Sequence, residues 1–391
     1  MSTSLKDAAS PDPIPVAGDA VTELEQERRT TPVELLWDLV FVFAVTQVTT
    51  LLSHDLSWAG FGRSMLVLAL VWWAWSAFVW AANAQSEDSR VLLVVLLTAT
   101  ACIFIAGIAL PRAFSGNATL FAGAYAAVRG LHLLLYADAS RRGNASWSAI
   151  AGFAVTVVVG MALLLAGSFV SHGLRVGLWG LAAAIDYAGP GWLTRDRLRG
   201  LQRVAVAHFA ERYGLFVIIA LGESIVAIGV RTRTAQLDLR EVVAVTLCLL
   251  ITVGLWWTYF DRFARSAEAA LRSAREPVLA ASDAYSYLHL VIVAGIIVFA
   301  VGARLVVGGT SLSGGGWLAL CGGVALYLVG LAAAGWRLMG SVAVLKLLAA
   351  VALLVLGLWS PPIASLAAAA IVTGVLAAVC AGDAVRLGSW R

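Results

Sequence analysis

Val33-Glu-Leu-Leu-Trp-Asp-Leu-Val-Phe-Val-Phe-Ala-Val-Thr-Gln-Val-Thr-Thr-Leu-Leu-Ser53 carries only two charged side chains, Glu34 and Asp38, both in its first third. A helix of about 20 residues covers roughly 30 Å, the hydrocarbon thickness of a bilayer. Inside hydrocarbon every backbone amide and carbonyl must be paired within the segment, so such a stretch crosses as a helix. The same texture recurs along the chain. Of its 391 residues 61% are hydrophobic and only 13% are charged, with a mean hydropathy of +0.88. Soluble domains carry roughly 25% charged residues, so lipid is the solvent for most of this chain.

Twelve apolar blocks are expected to span: 33–53, 60–82, 90–110, 116–136, 147–168, 173–189, 205–230, 241–261, 280–303, 316–334, 339–358 and 362–385. The sixth is short and carries Asp186, which leaves open whether 173–189 crosses fully. The expected fold is therefore all-α, a polytopic transmembrane helical bundle of about 12 spans. Arg and Lys favour cytoplasmic connections. Most of the 27 in this chain fall on alternate loops, with Arg195, Arg197, Arg199 and Arg203 on one and Arg262, Arg265, Arg272 and Arg275 on another of the same side. That pattern places both termini in the cytoplasm. Residues 1–32 are polar, with Pro11, Pro13 and Pro15, and read as a disordered cytoplasmic tail. The basic connection 190–204 suits an anionic headgroup surface.

That connection divides the chain into a first six-helix half, 33–189, and a second, 205–391. Glu34 opens span one and Glu211 opens span seven, 177 residues later; Trp72-Trp73-Ala-Trp75 in span two is matched by Trp256-Trp257-Thr-Tyr259 in span eight, offset by 184. Similar offsets in corresponding spans predict a parallel 6+6 pseudo-repeat, because an even number of spans preserves orientation. The Trp pairs also fit interfacial or packing aromatics.

A charge at membrane depth costs about 2.5–3.5 kcal/mol even on lenient insertion scales, so such groups face a partner or water. Glu34 and Asp38 are four apart and share a helical face. Glu34 also fits a first-turn acid favoured by the helix dipole. Gln47 lies further along the same span. In span seven His208, Glu211 and Arg212 stand at i, i+3 and i+4, and Glu223 follows Arg212 by eleven residues, about 16 Å along the axis. Ser224 adds a hydroxyl beside it. A structural clamp from Arg212 to a carboxylate is the competing reading of this group. A carboxyl in hydrocarbon with no cation beside it holds its proton, which makes Glu223 a candidate proton or cation site. Secondary candidates are Arg129, His132, Asp283, His289 and Lys346, with Asp186 as a further intramembrane charge; His132 and His289 are of the type that titrates near neutral pH.

Several classes are excluded. Charge is not gathered into a nucleic-acid footprint. Cys102, Cys248, Cys321 and Cys380 lie apart in apolar stretches with no metal spacing. There is no nucleotide loop and no HExxH or GxSxG signature, so neither an enzyme nor a bound cofactor or metal is expected. The partners expected are the lipid bilayer and a small ion or solute, and the oligomeric state is left open.

The same residues resemble the bacterial low-temperature-requirement A (LtrA) membrane protein family. Pro32-Val-Glu34-Leu-Leu-Trp-Asp38-Leu-Val-Phe-Val-Phe-Ala-Val-Thr-Gln47 is similar to that family's Glu-Leu-Phe-Phe-Asp-Leu-Val-Phe-Val opening, with Leu36 and Trp37 replacing its aromatic pair. Further matches are the Trp72-Trp73 run ending in Asn83, His208-Phe-Ala-Glu211-Arg212 through Leu221-Gly222-Glu223-Ser224, Trp256-Trp257-Thr-Tyr259-Phe260-Asp261, and Tyr287-Leu-His289. The resemblance implies a multi-pass protein of the bacterial inner membrane and brings no substrate with it. Two functions follow as expectations. One is a transport protein, either an ion or proton channel or an ion-coupled carrier, whose path between the halves is lined by Asp38, Glu211, Arg212 and Glu223. The other is a membrane-state sensor or scaffold without transport activity.

Overall fold

The computed structural model describes residues 30–83, 85, 89–143, 146–193, 195–196, 205–231 and 238–388. The expected tail lies outside the described residues up to position 29, as does most of the basic connection, 194 and 197–204.

The first half holds α1 (Pro32–His54), α2 (Trp58–Asn83), α3 (Arg90–Ala109), α4 (Ala118–Arg141), α5 (Trp147–Ser168) and α6 (His172–Ala188). The second holds α7 (Val206–Arg231), α8 (Leu239–Arg272), α9 (Pro277–Val307), α10 (Gly314–Met339), α11 (Val344–Trp359) and α12 (Ser365–Gly388). Ten of these rods are long and apolar enough to cross a membrane. The other two fall short of the expected count for a simple reason of length. α6 has 17 residues and α11 has 16, about 26 and 24 Å of rise. α6 continues only as a wide π turn, Gly189–Leu193.

Helix starts follow local chemistry. Pro32 occupies the first helical position, where its missing N–H costs nothing. The backbone N–H and hydroxyl of Thr31 both donate to the Glu34 carboxylate at 2.9 Å. Asp238 accepts from the Glu241 amide at 2.7 Å, and Glu241 reaches back to the Asp238 amide, a reciprocal cap. Where a loop was expected at 262–279, α8 runs on to Arg272. Ala264-Arg-Ser-Ala-Glu-Ala-Ala-Leu-Arg272 is rich in strong helix formers, and Glu268 and Arg272 pair one turn apart at 2.9 Å.

Inside the first half α1 packs on α2 and α3, α3 on α4, α4 on α5, α5 on α6, and α2 on α4 and α6. Inside the second, α7 packs on α8 and α9, α9 on α10, α10 on α11, α11 on α12, and α8 on α10 and α12. The halves meet where α1 and α2 contact α7 and α9. α1 and α7 run in parallel there, as the pairs Glu34 with His208, Asp38 with Arg212 and Thr46 with Glu223 show. Most of the buried apolar side chains form one continuous core through both halves. Three helices of the second half contain π turns: Thr258–Phe263 in α8, Ser282–Leu288 in α9 and Leu318–Gly322 in α10. Each swings side chains off the regular helical register, and such turns gather at working parts of helices.

Candidate functional site

The first turns of α1 and α7 lie side by side, and their ionisable residues converge. Glu34 and Asp38 are 0% exposed, and His208 and Arg212 are 1% exposed. The Arg212 guanidinium forks onto Asp38, Nη2 to Oδ1 at 2.7 Å and Nε to Oδ2 at 3.1 Å, and its Nη1 lies 3.0 Å from Glu34 Oε1. His208 Nε2 sits 3.3 Å from Glu34 Oε2. The Trp75 indole of α2 donates to Asp38 Oδ1 at 2.7 Å. Glu34 therefore both caps its own helix and takes part in the cluster. Charges removed from water this fully persist only with good pairing, because each would otherwise forfeit several kcal/mol of hydration.

Glu211 does not join them. It is exposed on the outer side of α7. Adjacent residues on a helix point about 100° apart, so with Arg212 turned into the bundle its neighbour is turned out. Glu223 is buried, at 4% exposure, two-thirds of the way along α7, and accepts a hydrogen bond from Thr46 of α1. Phe216 stands between it and Arg212 along α7 and packs on Trp72 and Trp75, with ring centroids 5.2 and 4.4 Å apart. An aromatic layer thus separates the charge cluster from Glu223. Ser224 is buried with a hydroxyl that has no partner among the described residues, and Gln47 is half-buried outside the cluster.

A polar knot that sequence reasoning missed ties the halves together beside this layer. Ser286, in the π turn of α9, accepts the Trp80 indole on its hydroxyl at 2.8 Å and the Trp72 indole on its carbonyl at 2.6 Å. Its hydroxyl also lies 3.0 Å from Ser76 Oγ and 3.1 Å from the Tyr213 hydroxyl, which is 2.7 Å from Ser76. A lone serine in an apolar span gives no periodic signal. The Trp72-Trp73 run was the nearest available clue.

The secondary candidates scatter. Asp283 holds Arg195 by two bonds of 2.7 Å and Arg337 by a third of 2.7 Å at the partly exposed mouth of α9. His289 is satisfied on both ring nitrogens, by the Tyr259 hydroxyl at 2.8 Å and the Ala284 carbonyl at 2.7 Å. Lys346 pairs with Asp383 between α11 and α12. Arg129 of α4 pairs with Asp186 of α6 at 2.8 Å. A cavity of ≈ 60 Å³ opens beside that pair, and its wall includes Arg129, His132 and Asp186 but not Asp38, Arg212 or Glu223.

Comparison with known proteins gives a consistent placement. The profile described as bacterial low temperature requirement A protein (LtrA) matches residues 29–381. The chain is 35% identical over 277 residues, 69% of its own length and 67% of the relative's, to an uncharacterized protein of Rhizobium meliloti (strain 1021). No solved structure matches it.

Proposed function

Since the chain belongs to the bacterial low temperature requirement A family, we propose that it is a transport protein of the bacterial inner membrane that carries a proton, with a small solute, along the seam between two six-helix halves. In this reading all twelve rods cross and both ends lie in the cytoplasm. The recurrence of neighbour pairs supports the repeat: α1 with α3 and α7 with α9, α3 with α4 and α9 with α10, α2 with α6 and α8 with α12. So does the parallel course of α1 and α7, as copies related by an axis along the membrane normal require.

The observation that carries the proposal is the composition of the buried cluster. Two carboxylates face one guanidinium and one imidazole, all at 1% exposure or less. Among the described residues of α1 and α7 the two carboxylates face one permanent cation, and buried carboxylates need close partners. The contact between His208 and Glu34 is the place in the cluster where a proton can be handed on. Trp75, Phe216 and Trp72 close the way from there to Glu223. Passage of the proton therefore takes a rearrangement at the seam, as in a carrier, and a standing pore is disfavoured. The halves are the natural moving parts, because every member of the α1–α7 cluster is bonded across them.

The test is flux. Purified protein is placed in vesicles that enclose a pH indicator, and a pH gradient is imposed with a mixture of small solutes supplied on both sides of the membrane. Wild type is expected to dissipate it well above empty vesicles, and Glu223→Gln and Asp38→Asn to be at least about tenfold slower, the rate equivalent of ~1.4 kcal/mol. Wild-type vesicles indistinguishable from empty ones would remove the proposal.

A further inference from the structure

The geometry points to a binding site for a small monocarboxylate anion at Arg129, in the cavity lined by α2, α4, α5, α6 and α9. Arg129 is 2% exposed, yet among the described residues only its Nη2 is bonded, to Asp186, and Nε and Nη1 have no partner there. Guanidinium N–H groups buried without acceptors are costly, and these belong to a side chain on the cavity wall. Both are charge-carrying N–H donors of the kind a carboxylate oxygen accepts from, each on its own side of the guanidinium. His132, one turn along α4 on the same wall, is also buried, with a ring nitrogen, Nδ1, that lacks a partner.

Size and lining narrow the ligand. A cavity of ≈ 60 Å³, at roughly 10–15 Å³ per water-sized occupant, holds about four to six non-hydrogen atoms. Apart from the Arg129–Asp186 pair and His132 the wall holds, among the described residues, no ionisable partner for a second charge except the Tyr136 phenol, and Trp73, Ala77, Trp80, Phe153 and Val157 make much of it apolar. A carboxylate with a short apolar tail fits both ends; a dicarboxylate or a sugar does not.

The charge count then couples the anion to a proton. With Arg129 positive, Asp186 negative and His132 neutral, the empty site is neutral. A bound carboxylate adds one negative charge, and a proton on His132 restores neutrality. The other titratable groups around His132 are Tyr125 and Tyr136 on its own helix and Asp186 on α6. α2 and α5 present Trp, Ser, Phe and Val, and α9 presents Ser282 and Ser286, while Tyr287 is held by the Tyr187 carbonyl at 2.7 Å. The anion and the proton enter together.

This names a solute class for the transport reading but is tested by binding, so the two can fail separately. Propionate is titrated into detergent-purified protein at constant ionic strength, with chloride and succinate as controls, following the thermal midpoint, the heat of binding and the proton taken up. Wild type is expected to bind propionate saturably, to take up one proton per ligand, and to lose about tenfold in affinity for each unit of rising pH, while neither control binds. The double variant Arg129→Gln/Asp186→Asn keeps the site neutral, so its fold is retained, and it should bind nothing. His132→Gln should bind more weakly and without proton uptake. Absence of propionate binding by wild type between about pH 5 and 8, equal binding by the double variant, or binding without proton uptake would each overturn the proposal. Binding without any flux would leave the site standing and remove the transport reading.

Discussion

α9 and α10, toward the C-terminal end of the chain, are in backbone contact, whereas α3 and α4, toward its N-terminal end, are not joined through glycine. A Cβ at Gly330 would lie 2.9 Å from the Ile292 amide nitrogen, and one at Gly295, Gly302 or Gly323 would lie closer still to backbone atoms of the facing helix. At Gly123 and Gly130 of α4 a Cβ would meet nothing within 4 Å. Small residues that let helix backbones touch are the usual means of association in lipid, where apolar burial drives little. The second half is thus a welded block. The first half carries the half-satisfied arginine and its cavity, and the seam carries the charge cluster that draws on both.

The largest expected effect is at the seam. Arg212→Gln leaves Glu34 and Asp38 buried without their shared cation, a loss of about 3–5 kcal/mol. Asp38→Asn, which leaves the Arg212 contact with Glu34 in place, should cost clearly less. Thermal midpoints in detergent rank the two, and the reverse order would show that the cluster is not held by Arg212.

The welded pair comes next. Gly302→Ala should cost about 1–3 kcal/mol, since α9 and α10 must part to admit the methyl. Gly130→Ala should be neutral or stabilising by up to about 1 kcal/mol, as for glycine in a helix with open space beside it. Equal effects in the two halves would erase the contrast between them. A smaller change is expected at the partly exposed mouth of α9. Asp283→Asn loosens Arg195 and Arg337, whose side chains are 33% and 35% exposed, and should cost no more than about 1 kcal/mol, shrinking with added salt.

The smallest effect lies in the turn between α1 and α2. Hydrogen bonds from the Ser57 hydroxyl and amide hold the partly exposed Asp55 carboxyl below its ordinary range, with Arg63 adding to them. A depressed carboxylate stabilises the fold in full above the ordinary value of about 4 and loses that contribution as pH falls through its lowered one. The midpoint difference between wild type and Asp55→Asn should therefore be constant near neutrality and close in acid. A difference that grows in acid would contradict the assignment.

Much of this was legible in the sequence because membranes permit few alternatives. Apolar blocks of spanning length must be helices, and residues four apart on a helix share a face, which is why Glu34 with Asp38 and His208 with Arg212 could be paired on paper. Glu211, expected on the path beside Arg212, is turned out of the bundle. Adjacent residues point in different directions, and only packing decides which one turns inward. The continuation of α8 through 264–272 was hidden by its charges, which read as a loop although alanine, leucine and an i,i+4 ion pair favour helix. Ser286 and Tyr213 gave no signal. Their role depends on a π turn that rotates one serine toward the seam, and a turn of that kind has no sequence pattern as clear as hydrophobic periodicity.

The central claim is that the halves move on one another as the protein works, and one bond can stop them. Ser76 of α2 and Ser286 of α9 face each other across the seam with their hydroxyl oxygens 3.0 Å apart, so Ser76→Cys/Ser286→Cys brings two near-isosteric thiols within reach of a ~2.05 Å disulfide. Proton flux is read in vesicles before oxidation, after it, and after reduction, with the bond verified by peptide mass. The account predicts flux that is lost on oxidation and restored on reduction. Undiminished flux through the cross-linked protein would contradict it.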